Sequence, residues 1–260
     1  MSAVILDWDG TLVSCEEKID ATIRKICSDF PEIQDDYHAA ISKRVASPGW
    51  IRRGFITSLP EDYFTYHFGI VAKLLATSWR RDHDWDMTGD DAWSIVLTKF
   101  KELYRGIPSQ LLVDHHLLMM LARQAEVYIV SNSNSKNIRH EAQALGIGNL
   151  HLRFIGDAKK YYVESLLPDI LGISVTRPRY REVLSSIAKR DRTDIIVVGD
   201  NFSLDLTTPI SMGIRVAYIP NPLTPRVISD FIRDQHIPSG TINKILQILI
   251  QKKEGRDGSH

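Results

Sequence analysis

The stretch AVILDWDGT, residues 3–11, decides the fold class because it joins a buried strand to a pair of acids. Residues 3–6 are all apolar and do not alternate with polar residues, the pattern of a parallel strand covered on both faces. Ligands of open α/β sheets bind beyond the carboxyl ends of such strands, so the pattern predicts chemistry at Asp7 and Asp9. Gly10 lets the chain turn sharply away. Such a carboxylate pair suits a nucleophile and a proton carrier held near a cation; an ordinary Asp/Gly turn is the alternative.

The composition sets the class of protein and the partners to expect. The 260 residues are 43% hydrophobic and 25% charged, which is typical of a globular protein with one large domain or a domain carrying an insert. The formal net charge is zero, which gives no electrostatic argument for binding nucleic acid or an anionic membrane. No apolar stretch reaches the length of a membrane span. We therefore expect neither a nucleic-acid nor a membrane partner.

The two cysteines, Cys15 and Cys27, have neither a metal-site spacing nor a redox-motif spacing. The N-terminus leads directly into the first strand without a charged leader or a cleavage site, so no signal peptide is predicted. Free thiols in a reducing compartment are the expectation, and a cytoplasmic location follows from it. Nothing in the sequence indicates an oligomeric state.

Four further apolar runs are typical of strands of the same kind, and helical patterns separate most of them. These strands are predicted at residues 127–130, 152–155, 195–198 and 216–219. Helical spacing of apolar residues predicts helices over 111–125 and 179–190, and Ser239 is predicted to be the N-cap of a helix that contains Ile242. Strands that alternate with helices at this spacing indicate βαβ units and a parallel sheet.

The interval from about Ser14 to Pro108 is the exception, because it shows helical spacing and no convincing strand. We read it as an insert that splits the sheet domain after its first strand. The predicted fold is thus α/β: a Rossmann-like parallel sheet core of about five strands flanked by helices (residues 1–14 and 109–260), with a mainly helical cap domain (residues 15–108).

Two acids follow the fourth predicted strand in the segment GDNFSLD, residues 199–205. A cation facing Asp7 needs hard oxygen ligands, and Mg²⁺ typically takes one or two carboxylates together with waters and substrate phosphate. Asp200, at the strand end, is well placed as a direct ligand, and Asp205 could reach the metal or orient a bound water. The alternative for both acids is an ordinary loop or N-cap carboxylate.

Two other segments suit phosphate binding. Ser131 and Asn132 end the second predicted strand, where a hydroxyl and successive backbone N–H groups form a natural phosphate cradle; a helix cap is the alternative. Arg177 precedes the helix before the fourth strand, where its cation could bind a phosphoryl oxygen. The alternative for Arg177 is a solvated surface residue.

In this order, these segments resemble the haloacid dehalogenase superfamily of phosphohydrolases. Residues 7–12 (DWDGTL) resemble its first motif, residues 130–132 its second, and residues 199–205 its fourth. The third motif departs from the pattern, because the family usually has Lys-Pro where this chain has Arg177-Pro178. Lys159, just after the third predicted strand, is a rival for the missing ammonium, and the sequence leaves this choice open.

The resemblance implies a reaction and its catalytic pair. Asp7 would attack phosphorus and form an aspartyl-phosphate. Asp9 would protonate the leaving oxygen and then deprotonate the water that releases phosphate. Because expulsion of a halide needs no proton, the second acid favours phosphate chemistry over carbon–halogen cleavage.

The resemblance also implies the ligands. Mg²⁺ would be held by Asp7, the Asp9 backbone carbonyl and Asp200, with Asp205 close by. Ser131, Asn132 and either Arg177 or Lys159 would hold the phosphate. The expected function is that of a Mg²⁺-dependent phosphatase acting on a small phosphorylated metabolite, with the cap deciding the substrate. The alternatives are a phosphomutase or phosphotransferase on the same core, and a non-catalytic protein that binds a phosphorylated ligand.

Overall fold

The structure is a computed structural model of the chain. It describes residues 3–14, 16–43, 51–52, 55–56, 63–82, 89–160, 178–188, 194–221 and 224–257. The chain divides into two compact units, and the first of them is discontinuous: Met1–Ser14 with Ser109–His260, and Cys15–Pro108.

The elements of both units are numbered here in chain order. The strands are β1 (Ala3–Leu6), β2 (Val13–Ser14), β3 (Ile51–Arg52), β4 (Phe55–Ile56), β5 (Gln110–Leu111), β6 (Glu126–Val130), β7 (Leu152–Ile155), β8 (Ile195–Gly199) and β9 (Arg215–Tyr218). The α-helices are α1 (Glu16–Asp29), α2 (Gln34–Ser42), α3 (Tyr63–Asp82), α4 (Gly89–Arg105), α5 (His115–Gln124), α6 (Ser135–Ala144), α7 (Pro178–Ile187), α8 (Thr207–Ser211), α9 (Arg226–Asp234) and α10 (Ile242–Asp257). A 3₁₀ turn (Pro31–Ile33) precedes α2, and a π-helical turn (Phe202–Leu206) precedes α8.

A five-stranded parallel sheet forms the centre of the first unit, in the order β7-β6-β1-β8-β9. The predicted α/β fold with a Rossmann-like sheet flanked by helices is therefore confirmed. β1 is the central strand, and its last residue, Leu6, pairs with Ile129 of β6 on one side and Val198 of β8 on the other. Because all these strands run in the same direction, the residues that follow β1, β6 and β8 meet at one edge of the sheet.

The central strand is buried on both faces, as its unbroken apolar sequence predicts. Val4 and Leu6 belong to one hydrophobic core cluster, whereas Ala3 and Ile5 belong to a second cluster on the other face of the sheet. All four side chains are at most 4% exposed. A sheet covered in this way gives a rigid support for the side chains at its carboxyl edge.

The second unit is helical, but it also contains a strand pair. Helix α3 packs against α4, and α1 packs against both. Its buried apolar residues recur at helical spacing on α1, α3 and α4, including Ile19, Ile23, Ile26, Ile70, Val71, Leu75, Val96 and Phe100. The strands β3 and β4 pair in antiparallel fashion, a short strand pair that the sequence pattern of this mainly helical insert does not indicate. Strands of two residues are too short to show an alternating period in the sequence.

The last helix begins later than the sequence predicts. Thr241 precedes α10, and its hydroxyl accepts a hydrogen bond from the Lys244 backbone N–H at 3.4 Å. Ser239, the predicted N-cap, instead forms a β-bridge with Tyr218 at the end of β9. The prediction failed because Ser and Thr are both suitable caps, and pairing with the sheet decides between them. Among the described residues, no helix is both long enough and apolar enough to cross a bilayer.

Candidate active site

Three carboxylates converge at the carboxyl edge of the sheet. Asp7 follows β1 directly, and its backbone N–H donates to the carbonyl of Val198 at 3.0 Å. Asp200 follows β8, and Asp205 lies in the π-helical turn after it. One oxygen from each of the three groups can be chosen so that all lie within 4.8 Å of one another. Carboxylates spaced this closely repel one another, and either nearby positive charge or a raised pKa relieves the repulsion.

Lys160 supplies positive charge to this group. Its Nζ donates to Asp7 Oδ1 at 2.6 Å and to Asp205 Oδ1 at 3.0 Å. The side chain of Lys160 is only 2% exposed, and its ammonium lies 5.3 Å from the centroid of the Tyr180 ring. A buried ammonium shared by two carboxylates is a strong electrostatic feature, because water screens it little.

The loop after β7 places Lys160 by binding the neighbouring loop after β6. The Lys160 backbone N–H donates to Asn132 Oδ1 at 2.6 Å, and the Ala158 N–H donates to the Ser131 carbonyl at 3.0 Å. At Gly156, a Cβ atom would lie 2.2 Å from the Ser135 backbone nitrogen, so the close approach of the two loops requires glycine.

Burial and charge shift the pKa values of these groups. Burial raises the pKa of Asp7 to about 8; attraction to Lys160 offsets part of that rise, and repulsion from Asp205 adds to it. Burial, followed by repulsion from Asp205 and Asp7, also raises the pKa of Asp200 well above its usual value. For Lys160, burial favours the neutral amine, but attraction to Asp205 and Asp7 outweighs it and the pKa is raised. Binding of a divalent cation to Asp7 would therefore compete with protonation of its carboxyl group.

Asp200 is positioned by the loop that follows β1. Thr11 donates its hydroxyl hydrogen to Asp200 Oδ1 at 3.1 Å. Gly10 has a φ of +78°, and a Cβ atom there would lie 2.2 Å from Asp200 Oδ2. The first motif therefore needs glycine for two reasons, the backbone conformation and the close approach of a carboxylate.

Gly10→Ala is expected to destabilise the protein more than Gly213→Ala, which serves as the matched control. Gly213 also has a positive φ, +71°, but nothing lies within 4 Å of a Cβ at that position. Backbone strain alone costs about 1–2 kcal/mol, and we expect Gly10→Ala to cost about 1–3 kcal/mol more because Asp200 must move. Denaturant unfolding of both variants measures the difference; equal losses would show that Asp200 is not held against Gly10.

The second acid of the first motif contacts the loop after β6. Ser133 donates its hydroxyl hydrogen to Asp9 Oδ2 at 3.1 Å. The Ser133 backbone N–H in turn donates to the hydroxyl oxygen of Ser131 at 3.0 Å, and Ser131 is buried. This hydroxyl keeps its own hydrogen as a donor. Asp9 and Ser131 are thus joined through Ser133 beside the three carboxylates.

A family model for the haloacid dehalogenase-like hydrolases matches residues 1–213. The chain belongs to this family. The match to the family model confirms the family resemblance that the motifs show. No curated protein matches the sequence significantly.

Solved structures with the same fold include other members of this family. A Thermotoga maritima protein assigned as a β-phosphoglucomutase has a TM-score of 0.58 at 15% identity, with 96% of this chain and 99% of that chain covered. A predicted phosphoglycolate phosphatase from Haemophilus somnus has a TM-score of 0.57 at 17% identity, covering 96% and 98%. The Bacillus subtilis HAD-hydrolase YfnB, solved with magnesium bound, has a TM-score of 0.52 at 13% identity, covering 91% and 99%. At such low identity, these similarities show the fold alone.

The structure brings most of the predicted site residues of this haloacid dehalogenase-like protein to one edge of the sheet. Asp7, Asp200 and Asp205 form the carboxylate group; the Asp9 carboxylate contacts Ser133, and the Asn132 side chain holds the Lys160 backbone. Arg177 lies outside the described residues. Lys159 has an exposed side chain and a φ of 50°, whereas its neighbour carries the buried ammonium.

Sequence reasoning missed three residues of this site: Lys160, Thr11 and Ser133. Lys160 and Ser133 each directly follow a residue that it did select, and Thr11 lies two residues after Asp9. For Lys160, the available signal was the pair of consecutive lysines directly after the third strand, and only the backbone conformation shows which of the two points inward. For Ser133, the signal was the recurrence of serine at every second position after β6, at residues 131, 133 and 135.

The donor set fits a hard divalent cation. Carboxylate oxygens from three side chains are available within a small volume, and no soft sulfur or imidazole donor belongs to the group. Mg²⁺ prefers oxygen ligands of this type and keeps several waters. Lys160 offsets part of the negative charge and leaves a net attraction for a divalent ion.

Proposed function

We propose that this haloacid dehalogenase-like protein is a Mg²⁺-dependent phosphohydrolase that acts on a small phosphorylated metabolite through an aspartyl-phosphate. One observation carries the proposal: Asp7, Asp200 and Asp205 converge at the carboxyl edge of the sheet, where the buried ammonium of Lys160 bonds to Asp7 and Asp205. A nucleophilic carboxylate beside ligands for a divalent cation and a fixed positive charge is the arrangement that phosphoryl transfer requires.

The first step assigns separate roles to the two acids of the first motif. An oxygen of Asp7 attacks phosphorus, and the bond between phosphorus and the leaving oxygen breaks. Asp9 gives its proton to that leaving oxygen. Ser133, which donates to Asp9, keeps the acid in a fixed orientation. Bound Mg²⁺ would offset the negative charge on the transferring phosphoryl group.

The second step returns the protein to its starting state. Asp9, now a carboxylate, takes a proton from a water molecule whose oxygen attacks phosphorus. The bond between phosphorus and Asp7 breaks, and inorganic phosphate leaves with Asp7 restored. The Ser131 hydroxyl, the backbone of Asn132 and the Lys160 ammonium are the groups proposed to hold the phosphoryl oxygens.

The two units have different roles in this proposal. Residues 1–14 and 109–260 form the catalytic core, and residues 15–108 form the cap that decides the substrate. A segment inserted directly after the nucleophile strand can exclude water during the reaction, and such closures often limit turnover.

Affinity for Mg²⁺ is expected to rise with pH between about 6 and 8. Because the pKa of Asp7 is about 8, the carboxyl is mostly protonated at pH 6, and Mg²⁺ must displace that proton. One displaced proton corresponds to about a tenfold rise in affinity per pH unit below the pKa. Isothermal titration in two buffers of different ionisation enthalpy measures both the affinity and the protons released. Binding that is independent of pH, with no proton release, would show that Asp7 is not a ligand.

A screen of phosphorylated metabolites with Mg²⁺ tests the function, with the Asp7→Asn protein as the blank. Release of inorganic phosphate by the wild type alone supports the phosphohydrolase. Transfer to an acceptor without release would identify a phosphotransferase or mutase. Binding of Mg²⁺ without turnover on any compound would favour a non-catalytic binding protein.

A further inference from the structure

Glu141, on helix α6, accepts hydrogen bonds from two separate segments of the chain. The indole Nε1 of Trp8 donates to Glu141 Oε2 at 2.8 Å, and the Ser109 hydroxyl donates to Glu141 Oε1. These donors are far from Glu141 in sequence, so the carboxylate joins three segments. None of the roles proposed above uses this contact.

Trp8 stands between the two acids of the first motif. Its side chain is 1% exposed, and its ring packs edge-on against Phe154 of β7 with 6.4 Å between ring centroids. Its carbonyl accepts the backbone N–H groups of Leu12 and Val13, both at 3.0 Å. Because the ring and the carbonyl are both held, the orientation of the indole is coupled to the backbone that carries Asp7 and Asp9.

Ser109 stands where the chain re-enters the first unit. Directly after it, β5 pairs with β2, and the Leu112 N–H donates to the Leu12 carbonyl at 2.8 Å. The chain leaves the first unit at Ser14 and returns to it at Ser109. Glu141 therefore binds the returning segment and the nucleophile loop with the same carboxylate.

We propose that Glu141 is a positioning residue for the phosphoryl-transfer reaction, acting through Trp8 and Ser109 on the placement of Asp7 and Asp9. The proposal rests on the proposed function. A carboxylate is a stronger acceptor for an indole N–H than a neutral group, and a buried donor without an acceptor is unfavourable. Loss of the contact lets the segment between the two acids shift, and catalytic geometry tolerates little displacement.

The first experiment compares Glu141→Ala, Glu141→Gln and His140→Ala in a Mg²⁺-dependent aryl phosphatase assay. A misplacement of about 1 Å can cost about 10²-fold. We therefore expect Glu141→Ala to lower kcat by about ten- to a hundredfold with little change in KM. The amide of Gln can still accept from Trp8, so Glu141→Gln should keep kcat within about threefold of the wild type. His140 is exposed on the same helix, and its variant is the matched control.

A double-mutant cycle with Trp8→Phe tests whether Glu141 acts through the indole. Phe keeps an aromatic ring but removes the N–H donor, so Trp8→Phe should cause a similar loss of kcat. The double variant should then be about as impaired as the worse single variant, because both changes remove the same contact. A double variant whose loss of kcat is the product of the two single losses would overturn the proposal. A Glu141→Ala protein with normal kcat would also overturn it. If Glu141→Ala fails to fold, Trp8→Phe and Ser109→Ala are assayed in its place, because each removes one donor to Glu141. Normal kcat in both of these variants would overturn the proposal.

The affinity for Mg²⁺ separates this proposal from the proposed function. If the wild-type protein shows no turnover, the proposed phosphohydrolase function is refuted. The role of Glu141 is then tested by the affinity for Mg²⁺ alone, measured by titration. Because Asp7 belongs to the carboxylate group, Glu141→Ala should bind Mg²⁺ about tenfold more weakly than His140→Ala. Equal affinities would overturn the positioning role, and a wild type that binds no Mg²⁺ would overturn both proposals.

Discussion

Asp7→Asn is expected to abolish Mg²⁺-dependent hydrolysis, with kcat at least about 10³-fold below the wild type. An amide oxygen is a poor nucleophile, and Asn cannot form the acyl-phosphate that the reaction passes through. The fold should survive, because Asn keeps the size of Asp and relieves the repulsion among the buried carboxylates. The measurement is steady-state hydrolysis of an aryl phosphate, with thermal unfolding as the check on folding.

Asp157→Asn is the matched control for this variant. Asp157 is an exposed carboxylate in the loop after β7, outside the group of three acids. Its φ of 52° is one that Asn adopts readily. We expect wild-type kcat from Asp157→Asn. Mg²⁺-dependent turnover by the Asp7→Asn protein would refute the assignment of the nucleophile.

Lys160→Met is expected to reduce kcat/KM by about 10²- to 10³-fold. Met has a similar length but lacks both the charge and the N–H donors, so the variant tests the ammonium that bonds to Asp7 and Asp205. Lys159→Met is the control, because the neighbouring side chain is exposed and should be dispensable. If Lys159→Met loses activity and Lys160→Met does not, the cation of the site is Lys159. Normal activity in both variants would point to Arg177.

The stability of Lys160→Met gives a second, independent readout. The wild-type ammonium lowers the pKa of Asp7, so its loss raises that pKa further above the value in the unfolded chain. A carboxyl whose pKa is raised in the folded state loses stability as pH rises from its unfolded pKa to its folded pKa. In the absence of metal, the free energy of unfolding of Lys160→Met should therefore fall more steeply than that of the wild type as the pH approaches and passes about 8, where the wild-type Asp7 loses its proton. Parallel pH profiles would show that Lys160 is not coupled to Asp7.

The sheet could be predicted because local patterns determined it. Residues 3–6 and 195–198 are unbroken apolar runs, and each forms a strand buried on both faces. The strand pair of β3 and β4 could not be predicted, since two residues are too few to show a period. The start of α10 was misplaced because two suitable caps lie two residues apart, and a bridge to β9 occupies the earlier one.

The candidate site could be predicted only where a strand end determines position. Asp7 and Asp200 each follow a central strand, so their proximity follows from the parallel sheet. Lys160 lies five residues after β7, and its inward direction depends on the positive φ at Asp157 and Lys159 and on the bond to Asn132. Such loop geometry leaves no periodic signal in a sequence.

Detection of the covalent intermediate tests the central claim most directly. The wild-type protein is mixed with Mg²⁺ and a substrate found in the screen, quenched in acid during turnover, and digested for peptide mass spectrometry. We predict one added phosphoryl group on the peptide that contains Asp7, absent from the Asp7→Asn protein. A phosphoryl group on a different residue, or turnover without any modification of Asp7 under single-turnover conditions, would contradict the proposed mechanism.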